Sequence, residues 1–321
     1  MSHRFCVAPM MDRTDRHERY FLRTLSKEML LYTEMIHANA VIHGNKDNLL
    51  KYHASEHPLA IQLGGSNADD LLEASLIAEG KGFDEINLNV GCPSPRVQSG
   101  SFGAVLMKQP YLVRDCLKLL VENTNIPVTV KCRIGVDEMD EDKDLDNFVT
   151  TVKDSGCKTF IIHARKAWLK GLSPKDNREI PPLNYERVYR LKDSFPDLEI
   201  IINGGIETTN DALEHLKFVD GVMVGRSAYD NPYPLVNVDK EIYSRSKLIP
   251  TRAEVLEGLV PYMKNEIKNG NKLGYLTKHL MGLFKNTKHA KKARYTLANI
   301  DDDIYPMEKL KLLINETKEL C

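Results

Sequence analysis

Short apolar runs with a two-residue alternation recur along the first two thirds of the chain. They fall at Phe5–Ala8, Leu30–Thr33, Leu59–Leu63, Glu85–Asn89, Pro127–Cys132, Thr159–His163, Glu199–Ile202 and Gly221–Val224, each of strand length. Between most of them the apolar period lengthens to that of an amphipathic helix, at Asn67–Glu79, Tyr111–Asn123, Leu145–Ser155, Tyr185–Asp193 and Thr208–Leu216. Ser66-Asn67 followed by Asp69 and Asp70 supplies a capping residue and first-turn acids. Strands alternating with helices in this way predict an α/β fold, a (β/α)8 TIM barrel. An open doubly wound sheet would not ordinarily need eight evenly spaced strands. From about Pro250 the strands stop. Thr251–Lys268, Lys272–Lys285, Lys288–Ala298 and Met307–Leu320 predict a small all-helical domain. The expected division is a barrel over 1–245 and a helical domain over 246–321.

The polar residues that interrupt the pattern lie at strand ends, where the chemistry of such a barrel sits. Alternation puts Asn87 and Asn89 on one face of the fourth strand and Ile86, Leu88 and Val90 on the other. Cys92 follows, held between Gly91 and Pro93, and proline biases the residue before it toward extended backbone. Such a thiol is either a packed small hydrophobe or a reagent. The other strand ends carry Gln62, Lys131 with Arg133, His163 with Arg165, Asn203-Gly204-Gly205 and Gly225-Arg226. Buried polar groups are costly unless paired, so a polar ligand is expected to complete this rim. The glycines after strands seven and eight, each read as running into a helix start, suit a phosphate, and Arg226 adds a charge-assisted bond. Lys131 could form a Schiff base, as in an aldolase, or stabilise negative charge on a bound ring such as a reduced flavin; the neighbouring amides suit the second better.

Composition adds little except in one place. Formal net charge is −1, so the whole molecule does not steer anions. Residues 251–321, however, hold 13 Lys+Arg against 9 Asp+Glu, and Lys268–Arg294 contains eight cations and no carboxylate. That asymmetry points to a polyanion partner. The six cysteines show no CxxC pair and no metal-ligand spacing. No apolar run is long enough to span a membrane, and the start of the chain leads straight into a strand. A reduced, cytoplasmic protein without a metal is expected.

Asn87-Leu88-Asn89-Val90-Gly91-Cys92-Pro93-Ser94-Pro95 resembles the active-site motif of the tRNA-dihydrouridine synthases. Ala8-Pro9-Met10-Met11-Asp12, Val130-Lys131-Cys132-Arg133, His163-Ala164-Arg165, Asn203-Gly204-Gly205 and Gly225-Arg226 follow in that family's order. His163–Leu169 and Asn177–Leu183 look like its DusA-type subgroup. The resemblance implies a non-covalent FMN reduced by NADPH, a tRNA substrate, and 5,6-dihydrouridine formed in the D-loop at positions 20 and 20a. It also implies roles. Cys92 would be the general acid. Pro9, Met10, Met11, Gln62, Lys131 and His163 would contact the flavin, and Asn203, Gly204, Gly205, Gly225 and Arg226 its phosphate end. Asn89, Arg133, Arg165, Lys175, Arg178, Lys291 and Arg294 would meet the tRNA. A monomer is expected. The basic motif Lys291-Lys292-Ala293-Arg294 carries less arginine than is usual in that subgroup, and lysine is not an equivalent phosphate binder.

Overall fold

Eight parallel strands close on themselves in chain order: β1 (Phe5–Val7), β2 (Leu30–His37), β3 (Leu59–Gly64), β4 (Glu85–Asn89), β5 (Val128–Arg133), β6 (Thr159–His163), β7 (Glu199–Asn203) and β8 (Gly221–Val224). The barrel closes by β1 pairing β8, with Cys6 opposite Met223. The computed structural model describes residues 2–246, 248–301 and 305–318. The predicted end of the last helix at Leu320, and Cys321, lie outside these. None of the described helices is long and apolar enough to cross a membrane.

Each strand sends alternate residues outward into a large shared core with the surrounding helices, for example Ile86, Leu88, Val130, Phe160, Ile200 and Ile202. The inward residues divide by sector. Cys6, Leu30, Tyr32, Ala60, Ile161, Ile201 and Met223 form a separate apolar cluster inside the barrel. The β3–β5 sector is filled instead by Gln62, Glu85, Asn87, Asn89 and Thr129, all buried. Register explains their contact: Gln62 lies opposite Asn87, and Asn87 opposite Thr129. The polar residues that the alternation singled out therefore form one continuous layer.

The helices depart from expectation in several places, two of which bear on the barrel mouth. Arg16–Leu25 is a helix that was not among those predicted, and it buries Arg19 and Arg23 as well as Phe21, Leu22 and Leu25. Both are buried: Arg19 donates from Nε to Glu56 Oε2 (2.7 Å), and Arg23 donates to the Glu56 and Pro58 carbonyls (2.9 and 3.0 Å). The predicted helix Lys272–Lys285 is broken into Gly274–Thr277 and a 3-10 turn at Lys278–Gly282. At Gly282 the chain passes so near Tyr229 that an added Cβ would lie 2.7 Å from its carbonyl oxygen.

The C-terminal helices Arg252–Lys268, Ala290–Ala298 and Pro306–Lys318 pack together, and Arg252–Lys268 also packs against Arg16–Leu25. Arg16 joins Glu266 (2.5 Å), and Tyr20 stacks on Tyr262 with ring centroids 3.8 Å apart. Lys278 and His279 both reach Asp15, the cap of Arg16–Leu25, at 3.1 and 2.9 Å. The helical region is thereby fixed beside the barrel mouth.

Candidate active site

The C-terminal ends of the strands open onto a cavity of about 540 Å³, the size of a small-molecule site. Every residue expected to touch a cofactor lines it: Pro9, Met10, Met11, Gln62, Lys131, His163, Asn203, Gly204, Gly205, Gly225 and Arg226. Cys92, Asn89, Arg133 and Arg178 line it as well.

Cys92 sits in a loop fixed from several sides. Its backbone N–H and that of Gly91 donate to Asn89 Oδ1 (3.0 and 3.2 Å). Ala104 N–H donates to the Cys92 carbonyl (2.9 Å), and Arg133 Nε–H to the Gly91 carbonyl (2.9 Å). Gly103 has φ +74°, and a Cβ there would come within 2.6 Å of the Cys92 carbonyl oxygen. Cys92 is half-buried, whereas Cys6, Cys116, Cys132 and Cys157 are buried. Burial pushes the Cys132 and Cys157 thiols up to about 12, which makes them inert packing. Cys92 also borders a second cavity of about 1020 Å³, bounded by the end of β2, the cysteine loop, and Tyr275 and Lys278 of the helical region.

Lys131 donates from Nζ to Asn203 Oδ1 (3.0 Å), and Asn203 Nδ2 donates to the Met223 carbonyl (2.7 Å). Burial, reinforced by the nearby Arg133, lowers the Lys131 amine to about 8. The His163 imidazole makes no protein hydrogen bond among those described, and His163 lines the cavity. Burial, then the charges of Arg133 and Lys131, hold it well below the ordinary imidazole range, so it is neutral. A neutral imidazole with no protein partner is suited to a bound polar group.

At the opposite wall Gly204 and Gly205 adopt φ +116° and +69°, and a Cβ on Gly204 would meet His163 Cδ2 at 2.7 Å. The helix that follows them begins at Thr209, capped by Thr208, within one residue of the predicted start. Gly225 caps the short helix Arg226–Asp230, and the space a Cβ would take there is open, with Ala8 Cβ nearest at 4.0 Å. Arg226 is paired with Glu179 (2.7 Å), and Arg13 with Asp230 (3.3 Å). Arg13, Lys131, Arg133, Arg178, Arg226 and Lys285 line the cavity against two carboxylates, Glu207 and Asp230. An anionic ligand with a planar, acceptor-rich end fits this set: amides, amine and imidazole on one side, glycines and arginines on the other.

The residues expected to meet tRNA separate into groups. Asn89 is buried and has its carbonyl committed to the cysteine loop. Arg133 is buried and donates from Nη1 to the Lys166 and Asn177 carbonyls (both 2.9 Å) besides Gly91. Arg178 is exposed at the cavity rim, and Arg165 donates to the Pro181 carbonyl. Lys175, Lys291 and Arg294 are exposed and lie away from both cavities. Arg13 and Lys285 reach the cavity without having been singled out, since only the tertiary fold brings residue 285 to the barrel mouth.

A family model described as dihydrouridine synthase (Dus) matches residues 6–318. A tRNA-dihydrouridine(20/20a) synthase of Synechocystis sp. is 54% identical over 91% of this chain and 88% of its own length. The protein of that name from Escherichia coli K12 is 53% identical over 92% of this chain and 86% of its own. That of Vibrio vulnificus is 53% identical over 91% and 89%.

Proposed function

The chain belongs to the dihydrouridine synthase family, and on that premise we propose that its barrel mouth reduces the C5–C6 double bond of uridine 20 and 20a in tRNA. It is an oxidoreductase, and the product is 5,6-dihydrouridine. The observation that carries the reading is the convergence of one half-buried thiol with the Gln62–Lys131–His163 arc and two glycine turns on a single cavity.

FMN fits that cavity and, when bound, supplies the hydride it has drawn from NADPH. Gln62, Lys131 and His163 hold the ring, with Pro9, Met10 and Met11 beside it. Asn203, Gly204, Gly205, Gly225 and Arg226 hold the phosphate end, where the Arg226–Glu179 pair opens to accept the anion. Cys92 keeps a proton until the neighbouring carbon of the substrate needs it, and delivers it as general acid. Arg133 and Asn89 aim that thiol by anchoring its loop. Asn89 retains one amide hydrogen for the base.

The uridine leaves the RNA stack to enter, at a cost of a few kcal/mol. The barrel over 1–245 does the chemistry and the helical region 246–321 supplies grip. Arg165, Lys175, Arg178, Lys291 and Arg294 neutralise phosphates from two directions. The enzyme works as a monomer in the cytoplasm, where thiols stay reduced, and needs no metal.

The test is direct. Purified protein should be yellow, and with NADPH and an unmodified tRNA transcript should form dihydrouridine at positions 20 and 20a by nucleoside mass spectrometry. A colourless protein, or one that leaves the transcript unchanged, would refute the reading.

A further inference from the structure

We infer that Glu85, on the barrel floor, is a positioning residue for Cys92, acting through a one-directional chain of hydrogen bonds that climbs β4. The inference rests on the reading of Cys92 as the proton donor. The chain has five links: Cys92 N–H to Asn89 Oδ1 (3.0 Å), Asn89 Nδ2 to Gln62 Oε1 (2.8 Å), Gln62 Nε2 to Asn87 Oδ1 (2.8 Å), Asn87 Nδ2 to Thr129 Oγ1 (2.8 Å), and Thr129 Oγ1 to Glu85 Oε1 (2.7 Å). Every member except Cys92 is buried.

The direction is set at the floor. Glu85 Oε1 accepts from the hydroxyls of Tyr32 and Thr129 (both 2.7 Å), and Oε2 faces His3 Nε2 at 2.5 Å. The other His3 nitrogen faces Glu199 Oε2 at 2.9 Å. A ring between two carboxylates donates to both, so Glu85 is surrounded by donors and only accepts. Thr129 has one proton, and Glu85 takes it. The Thr129 oxygen must then accept from an amine, so Asn87 turns its NH₂ down and its carbonyl up. Gln62 has to offer NH₂ to that carbonyl, and Asn89 has to offer NH₂ to Gln62. The Asn89 carbonyl is thereby left facing the Gly91 and Cys92 N–H groups, which need an acceptor. Flipping any one amide would set donor against donor in a buried layer, at about 1–3 kcal/mol.

Filling space does not account for this layer. The opposite sector of the same barrel is packed with Ile161, Ile201 and Met223, and apolar filling is the simpler solution wherever polarity has no task. A second consequence follows from the same ordering: the amide hydrogens of Gln62 and Asn89 that remain unused are donors, so the β3–β4 wall has side-chain donors available to a ligand.

The experiment compares holoprotein carrying Thr129→Val, Thr129→Ser and Glu85→Leu, the last because a glutamine carbonyl would still accept the Thr129 proton. Three readouts are taken: kcat and KM on a tRNA transcript, the visible spectrum of bound flavin, and the rate of iodoacetamide labelling at Cys92 by peptide mapping. Loss of aim should lower kcat roughly 10- to 100-fold with KM and flavin content little changed, and should speed Cys92 labelling severalfold in Thr129→Val and Glu85→Leu. Thr129→Ser, which keeps the hydroxyl, should restore both values. Wild-type kcat and labelling in both Thr129→Val and Glu85→Leu would overturn the proposal, as would a serine variant that behaves like valine. Should the wild type make no dihydrouridine, the functional reading falls separately, and the labelling contrast still decides whether the chain aims the thiol.

Discussion

Lys131 Nζ and Asn203 Oδ1 meet at 3.0 Å across the barrel mouth, bridging β5 to β7 above β6. Asn203 passes the tie on to the Met223 carbonyl of β8. The amine is thus aimed before any ligand arrives, in surroundings that disfavour its charge.

That placement costs stability. With its amine lowered from 10.5 to about 8, Lys131 binds a proton less readily folded than unfolded. The penalty is fully present below pH 8 and is relieved as pH rises from about 8 to 10.5, and amounts to roughly 3 kcal/mol. Lys131→Met removes it but leaves the Asn203 carbonyl unpaired, worth about 1–3 kcal/mol the other way. At pH 7 the flavin-free variant should be as stable as wild type or up to about 2 kcal/mol more stable, while binding FMN roughly tenfold more weakly or worse. Urea denaturation and flavin titration check the two halves. A large destabilisation of the flavin-free variant would count against the electrostatic account.

His3 behaves oppositely. Burial pulls its pKa down, but hydrogen bonds to Glu199 and Glu85 more than offset that and raise it to about 10. Its contribution is fully present below pH 6.5 and is lost as pH rises through about 10. Thermal midpoints measured from pH 6 to 10 should therefore fall more steeply for wild type than for His3→Gln. The variant itself should be about 3–5 kcal/mol less stable at pH 6, because it leaves two carboxylates without their cation. Parallel curves would exclude the ion triad.

Cys92→Ala should keep the yellow colour and tRNA affinity while losing roughly 10²–10⁴-fold in kcat. Turnover kinetics together with a gel shift would show it, and normal turnover would remove the thiol from the mechanism.

Gly103→Ala tests the loop without touching sulfur. A Cβ at φ +74° and 2.6 Å from the Cys92 carbonyl oxygen forces backbone to move, with strain of about 1–3 kcal/mol. The expected result is a loss of kcat exceeding any change in flavin binding.

Lys291→Ala and Arg294→Ala should each raise KM for tRNA and lower the slope of log affinity against log salt by about one, with flavin binding unaltered. Lys292, paired with Glu316 at 2.7 Å, should matter less.

The strands were legible because inward and outward positions differ in kind. Ile, Val and Leu face the helices, and the exceptions at Gln62, Asn89, Lys131, His163 and Asn203 all line one cavity. β2 was read short, ending at Thr33 rather than His37, because its pairing with β3 shifts register between Tyr32 and Met35 and blurs the alternation. Arg16–Leu25 was missed although Phe21, Leu22 and Leu25 share one face; what the pattern does conceal is the burial of Arg19 and Arg23. The Arg226–Glu179 pair and the arrival of Lys285 were beyond reach, since each joins segments about 50 residues or more apart in sequence. Nor did alternation reveal that Glu85 continues the face of Asn87 and Asn89 downward to His3. The link becomes visible only once the hydroxyls of Tyr32 and Thr129 are seen to converge on it.

Cys92 stands in the partition between two chambers of about 540 and 1020 Å³. The smaller one ends in glycine turns and arginines, and the larger opens toward Tyr275 and Lys278. Met11 and Met35 border both chambers as well, so molecules held in the two would face each other along a seam of three sulfur-bearing side chains. A change at any of the three would alter both chambers at once.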